Sequence, residues 1–443
     1  MKKFFFAAIA AVLAVAISVP ASAIEHEFSG YWRTRAYTQK NFSGSKDTIG
    51  NKDVQAVDTR TRLWYTAKFS DDFKFVNGFE MDAVWGGDDN YFDKDANKSY
   101  GRVGTDGVNV QIKHSYVDFN FENFNFKIGA QPGYIGRGFI MDEDFAGAVI
   151  TGNYGNITVP FYWIKNIEGG IGKDKNDGDL DTIVIAPEFK IDNMRINPYF
   201  VWSYMNDGEY DYLNNFTEQK FKDFNVANLG VDVDFALNED INLWFTGIYQ
   251  FGKADVRSAT FDLDNKKYSS KEIDISAFLI AFGGNMDVEG IDLHGQFFYA
   301  SGDDKDLDGD YKAFGDLTQG QSYYWAEIMG YGMVDNQWSA GSCGDKISDI
   351  MAFNFGASMS PMEKLTVGAD IWAAWLAEDV VLADGSKENY LGTELDLSAS
   401  YKIMDNLDLD LVAAYLFAGD ATTEKAKNDK DPYQLAAQLS FSF

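Results

Sequence analysis

Cysteine is almost missing from this sequence: a single one, Cys343, stands in 443 residues. No disulfide can form within the chain, so a fold of this size must be held by its backbone ladder and packing, and Cys343 reads as an incidental loop thiol. Histidine is nearly as rare, with His26, His114 and His294 far apart and lacking metal-ligand spacing, and all three read as structural. Past residue 23 no stretch approaches the ~18 uncharged apolar residues of a membrane helix, which excludes a bundle of spanning helices. Basic side chains are also in short supply, 38 Lys and Arg against 68 Asp and Glu, and a formal charge of −30 argues against a nucleic-acid partner.

What is present begins with a secretory signal. Lys2 and Lys3 precede an apolar stretch from Phe4 to Val19, and Pro20-Ala21-Ser22-Ala23 supplies a small-residue cleavage site. Residues 1–23 are therefore expected to be removed, leaving one domain, 24–443, with 36 basic against 68 acidic residues, a charge of −32. Aromatic residues make up 16% of the chain, a load that suits the girdles of a membrane barrel.

From residue 25 to the end the chain repeats one rhythm: about ten residues of strict alternation, a short polar turn, another alternating run, then a longer acidic loop. The C-terminus is the clearest case, with Tyr433, Leu435, Ala437, Leu439, Phe441 and Phe443 on one face and Gln434, Gln438, Ser440 and Ser442 on the other. One face meets lipid and the other water. Short turns are expected near 70–72, 122–124, 154–156, 192–193, 237–240, 287–290, 360–363 and 404–406. Longer loops are expected near 39–57, 87–108, 132–144, 166–180, 207–223, 254–271, 303–348, 378–389 and 420–431. Seventeen connections join about eighteen strands, with sixteen as the alternative count. The predicted fold is all-β, a transmembrane antiparallel barrel with short periplasmic turns, long acidic extracellular loops and a lumen wide enough for water. A soluble sandwich or propeller would have strands nearer ~6 residues and no regular alternation of short and long connections. Alternation already in the first mature residues argues against a plugged transporter.

A charge facing lipid at mid-bilayer costs several kcal/mol, so charges mark the water-facing side of each strand. By that rule Arg33 and Arg35 on the first strand, and Arg60, Arg62 and Lys68 on the second, form a basic pore-lining cluster. Glu80 and Asp82, Asp232 and Asp234, Glu394 and Asp396, and Asp408 and Asp410 supply the opposite sign on the third, tenth, sixteenth and seventeenth strands. Opposed charges across a narrow water column set up a transverse field. Four adjacent arginines imply anion attraction or, as the preferred reading, pairing with a carboxylate-bearing loop. The segment 131–144, with Tyr134, Arg137, Asp142, Glu143 and Asp144 and apolar groups that an exposed loop would not need, is the leading candidate for a constriction loop. The segment 303–348, with Tyr323, Tyr324 and Trp325, is the second.

That second segment opens with Asp304, Asp306, Asp308 and Asp310 at the alternate spacing of a calcium loop, with Gly309 at the sixth position. The match fails at the twelfth position, Gly315, where a bidentate Glu is needed. Weak calcium binding is therefore weighed against a plain solvated loop, as it is for the similar run 174–181. No cofactor is otherwise implied. No nucleophile stands with a partner base, since the histidines are scattered and His114 and Ser115 point to opposite faces, so no enzyme is expected.

At Asp58-Thr59-Arg60-Thr61-Arg62-Leu63-Trp64, then Trp85-Gly86-Gly87, Gly104-Thr105-Asp106-Gly107-Val108 and Lys113-His114-Ser115-Tyr116-Val117-Asp118, the sequence resembles the homotrimeric outer-membrane porins of sulfate-reducing bacteria. The likeness covers the first third best; beyond it only barrel rhythm and terminal Phe443 are shared. The resemblance implies a homotrimer in a Gram-negative outer membrane, passive transport of small hydrophilic solutes, and handling by barrel assembly machinery through Phe443. It fixes no substrate contact. The expected function is a diffusion channel with a mild cation preference from its net charge. The alternatives are a substrate-specific channel for sugars, amino acids or organic anions, with Trp64 and Trp244 as a sliding surface, and a calcium-binding structural surface barrel.

Overall fold

The computed structural model describes residues 24–41, 53–86, 110–169, 178–205, 210–213, 218–262, 267–304, 310–315, 323–330, 332–334, 347–382, 384–423 and 430–443. The signal segment 1–23, Gly87, the motif 104–108, residues 174–177, Asp306, Asp308 and Cys343 lie outside them.

Eighteen antiparallel strands close on themselves. In chain order they are β1 (Glu25–Lys40), β2 (Val54–Ser70), β3 (Phe73–Val84), β4 (Gln111–Phe121), β5 (Phe124–Ile135) and β6 (Met141–Tyr154). There follow β7 (Ile157–Ile167), β8 (Leu180–Ile185 with Glu188–Ile191), β9 (Met194–Met205, extended by Tyr210–Leu213), β10 (Glu218–Ala236), β11 (Ile241–Asp262) and β12 (Lys267–Val288). The last six are β13 (Ile291–Ala300), β14 (Ile350–Met362), β15 (Leu365–Val381), β16 (Lys387–Met404), β17 (Leu407–Ala418) and β18 (Tyr433–Ser442). β1 pairs with β2 on one side, Arg35 opposite Asp58, and with β18 on the other, Arg35 opposite Gln438, so no edge is left open. Among the described residues no helix is long and apolar enough to cross a membrane.

Alternation places the side chains. Leu229, Phe282, Phe353, Phe355, Ile371, Phe417 and Leu435 are exposed on the outer face, the apolar band that lipid covers. Asn228, Gln250, Asn354, Glu394 and Gln434 face inward and are almost fully buried there. Aromatic pairs mark both rims: Phe119 stacks on Phe126 near the short turns, centroids 4.9 Å apart, and Tyr415 meets Phe417 toward the long loops at 4.8 Å. Terminal Phe443 exchanges backbone hydrogen bonds with Gly30, and its ring occupies the space that a Cβ on Gly30 would need.

One hairpin leaves the wall. β5 pairs with β4 only as far as Ala130, and β6 pairs with β7 only from Gly147 onward. Between those points, residues 131–146 pair only with each other and turn into the lumen. Glycine is required at both bends: a Cβ on Gly129, where φ is +133°, would lie 2.2 Å from the Ser115 carbonyl, and one on Gly147 would lie 2.1 Å from the Trp163 carbonyl. The expected loop 132–144 is thus mostly strand, with only residues 136–140 forming the turn. Backbone ladder bonds keep this hairpin satisfied where it leaves its neighbours, which explains why the alternating pattern continues through a segment read as loop.

Candidate functional site

The lumen is narrowed by two chain segments that meet inside it. The first is the hairpin tip: Arg137 Nη2 donates to Asp234 Oδ1 of β10 at 2.8 Å and its Nε to Thr246 Oγ1 of β11 at 3.2 Å, with its guanidinium 4.7 Å from the Trp244 ring. Asp234 also takes Arg195 Nη2 of β9 at 2.7 Å, so one carboxylate ties the tip to the wall. Tyr134 is exposed to the lumen, as are Asp142 and Glu143 on the returning strand. Asp144 turns back to β4, where it accepts from Lys113 Nζ at 2.5 Å and from His114 Nε2 at 2.9 Å. The Trp64 indole donates to His114 Nδ1 at 3.2 Å, which leaves the histidine proton on Nε2 for Asp144.

The second segment belongs to the connection between β13 and β14. Its Asp310 and Tyr311 pair in parallel with Asp274 and Ile275 of β12 beyond the end of β13, and Tyr311 and Ala313 pack with Phe224, Ile273 and Ile275. Residues 323–330 and 332–334 lie across the lumen. Tyr323 donates to Gln296 Oε1 at 2.5 Å, and burial pushes its hydroxyl well above the usual tyrosine range, so it stays a donor. Phe139 of the hairpin tip stacks on Tyr323 at 3.9 Å, joining the two segments. Further along, Ile328 and Met329 donate their backbone N–H groups to the two oxygens of Glu394, at 2.6 and 2.9 Å. Arg35 Nη1 donates to the Met333 carbonyl at 2.7 Å. Both expected constriction candidates therefore reach into the lumen, and they do so together.

The register puts Arg33, Arg35, Arg60 and Arg62 on one inner wall, but their partners differ from expectation. Arg35 makes a two-pronged pair with Asp58 of β2, at 3.0 and 2.7 Å. Arg60 does the same with Asp82, both at 2.7 Å, and Arg62 reaches Glu80 at 2.5 Å. For Arg35, Arg60 and Arg62 the preferred reading, pairing with a loop carboxylate, is corrected: neighbouring strands supply the carboxylates. Glu80 and Asp82 consequently do not oppose the arginines across the channel, because β2 and β3 are adjacent and the pairs lie directly across their shared ladder. Lys68 pairs with Glu27 in an exposed position near the β2–β3 turn.

The other half of the lumen is different. Asp370 of β15, Glu394 and Asp396 of β16, and Asp408 and Asp410 of β17 face inward in register. Their donors include side-chain amides, backbone N–H groups and His294, and among the described residues no lysine or arginine forms an ion pair with any of them. Arg35, Arg60, Arg62, Arg137 and Arg195 are thus held in ion pairs, while the wall from β15 to β17 is mainly acidic, with Lys402 opposite Asp408 near the short turn. Sequence reading missed Arg195, Asp58 and Asp370, although the rule that charge marks the lumenal face would have placed each of them.

Two cavities flank the constriction. One of about 220 Å³ lies between the hairpin tip and β7–β10, bounded by Tyr134, Arg137, Arg195 and Tyr199. The other, about 440 Å³, lies between residues 324–327 with Gly332 and β13–β17. Of the calcium-loop residues, Asp304 and Asp310 are exposed.

A closed eighteen-strand barrel with an apolar outer belt, a polar lumen and inward-folded constricting segments defines an outer-membrane porin channel. The chain belongs to the alginate export family, which residues 190–434 match. No curated protein sequence matches it. Among solved structures it is similar in fold to Pseudomonas aeruginosa OpdL (TM-score 0.58, 10% identity, 95% of this chain and 99% of that one). It is also similar to Acinetobacter baumannii OccAB1 (TM-score 0.57, 13% identity, 96% and 100%) and to P. aeruginosa OprD (TM-score 0.54, 11% identity, 96% of each chain).

Proposed function

We propose that this outer-membrane channel passes small hydrophilic solutes by diffusion with a mild preference for cations. The observation that carries the reading is the asymmetry of lumenal charge. Arg35, Arg60, Arg62 and Arg195 each pair with a carboxylate of a neighbouring strand and Arg137 of the hairpin with Asp234 of the wall, whereas among the described residues Asp370, Asp408 and Asp410 form no ion pair with Lys or Arg, Lys402 alone lying opposite Asp408 in the ladder. A wall with an excess of unpaired carboxylates raises the local concentration of cations and lowers that of anions. The test is swelling of liposomes containing the refolded protein in isosmotic solutions of matched solutes. A cationic amino-acid ester should enter faster than a neutral sugar of the same size, and the sugar faster than a uronate; the reverse order rejects the reading.

Family membership favours a second reading, a channel for an anionic polysaccharide such as alginate, whose uronate carboxylates would exchange onto the arginines of β1 and β2. It predicts that oligouronates, and not neutral oligosaccharides, interrupt the ion current. On the earlier resemblance alone, we further propose a homotrimer and assembly through the C-terminal Phe443; a monomeric mass in detergent rejects the first, and normal insertion of a chain lacking Phe443 rejects the second.

A further inference from the structure

We propose that the cavity between residues 324–327 with Gly332 and β13–β17 is a subsite for an organic ammonium ion, a deepening that rests on the cation preference argued above. Trp325 and Trp372 form one side of it as a corner, ring centroids 5.1 Å apart with planes at 71°. Indole faces attract cations through their quadrupole, and best where water is excluded; both indoles here are more than nine-tenths buried. Asp370 and Asp396 form the other side, opposite each other in the β15–β16 ladder. The Asp396 Oδ1 atom is buried and receives no hydrogen bond from an N–H group, Oδ2 takes the Glu327 N–H at 3.4 Å, and the carboxyl group lies against that of Glu394 on the same strand. Asp370 is shared between His294 and Asn354 on one oxygen, Oδ1, at 2.9 Å from each.

An inorganic cation would be satisfied by carboxylates alone. The indole corner adds nothing for a strongly hydrated metal ion, but it matches a weakly hydrated ammonium bearing carbon substituents, whose charge is spread over apolar surface. The volume, about 440 Å³, is in the range of pockets for small organic ligands. Tyr324 and Ser398 of its lining are exposed, so the cavity is within reach of a solute moving along the acidic wall. A site of this kind gives a solute path that saturates, on a channel that otherwise conducts in proportion to concentration.

The experiment uses the refolded full-length mature channel in planar bilayers, with choline as the probe and potassium as the reference. Choline current should saturate at concentrations where potassium current is still linear. Asp370→Asn, which preserves the size of the side chain and leaves an acceptor for His294, should raise the half-saturating choline concentration about tenfold. Trp372→Phe, a second variant in case the first does not refold, should shift it in the same direction by a smaller factor. Choline current that stays proportional to potassium current in the wild type, or saturation unchanged in both variants, overturns the subsite. The reversal potential in a KCl gradient separates the two readings: a cation-side potential with unsaturated choline current rejects the subsite alone, and no potential with saturating choline rejects the preference alone.

Discussion

Phe139, at the tip of the β5–β6 hairpin, lies flat on Tyr323 of the β13–β14 connection, ring centroids 3.9 Å apart and planes at 24°. The two residues are remote in sequence and come from opposite sides of the barrel, and their contact makes one constriction from two segments. Phe298 and Trp325 extend the cluster, meeting edge to face at 5.3 Å. Removing the ring with Phe139→Ala deletes a buried aromatic pair worth about 1 kcal/mol beyond its area. Single-channel steps should become larger and noisier; an unchanged step would show that the pair does not set the pore.

Gly147→Val places a branched side chain where even a Cβ would lie 2.1 Å from the Trp163 carbonyl. The hairpin can no longer bend from the wall at that point, and overpacking of this kind costs about 1–3 kcal/mol. The yield of refolded barrel should fall, and any channels recovered should conduct more because residues 131–146 stay closer to the wall. Heat-dependent migration of the barrel and its step conductance check both halves.

Glu394 is fully buried and its two oxygens accept the Ile328 and Met329 amides. Glu394→Ala leaves two buried N–H groups without acceptors, each costing about 1–3 kcal/mol. The segment around Ile328 and Met329 should be released, seen as faster proteolysis there and frequent transitions to a higher conductance. Glu394→Gln, which retains one acceptor oxygen, should fall between Ala and wild type.

Strand count, turn positions and facing of the lumenal charges were legible because a barrel wall forces period two on every strand, and a misplaced charge in lipid is costly. The alternation of Arg33 with Thr34 and Arg35 suffices to orient β1. Pairing was harder to read. Which carboxylate meets Arg60 depends on the stagger between β2 and β3, and one residue of slip would have put Asp82 opposite another side chain. The hairpin's departure from the wall was hidden for another reason: residues 131–135 and 141–146 alternate like any strand, and only Gly129 and Gly147 signal the bend. The stack of Phe139 on Tyr323 joins residues from distant segments and has no local signature.

The arginine pairs give the sign of two charge variants. Asp82→Asn removes the carboxylate that holds Arg60 through two bonds of 2.7 Å and leaves its guanidinium facing the lumen with less compensation. The zero-current potential should move toward the anion side. Arg60→Gln should move it further to the cation side, by freeing Asp82; identical potentials in both variants would show that this wall does not face the conducting path.

The most direct test of the account is the zero-current potential of the wild-type channel in a KCl gradient across a planar bilayer. An acidic wall from β15 to β17 beside closed arginine pairs predicts stepwise openings with a potential of modest size on the cation side. A potential on the anion side would contradict it and make Arg33, Arg35, Arg60 and Arg62 the selective surface.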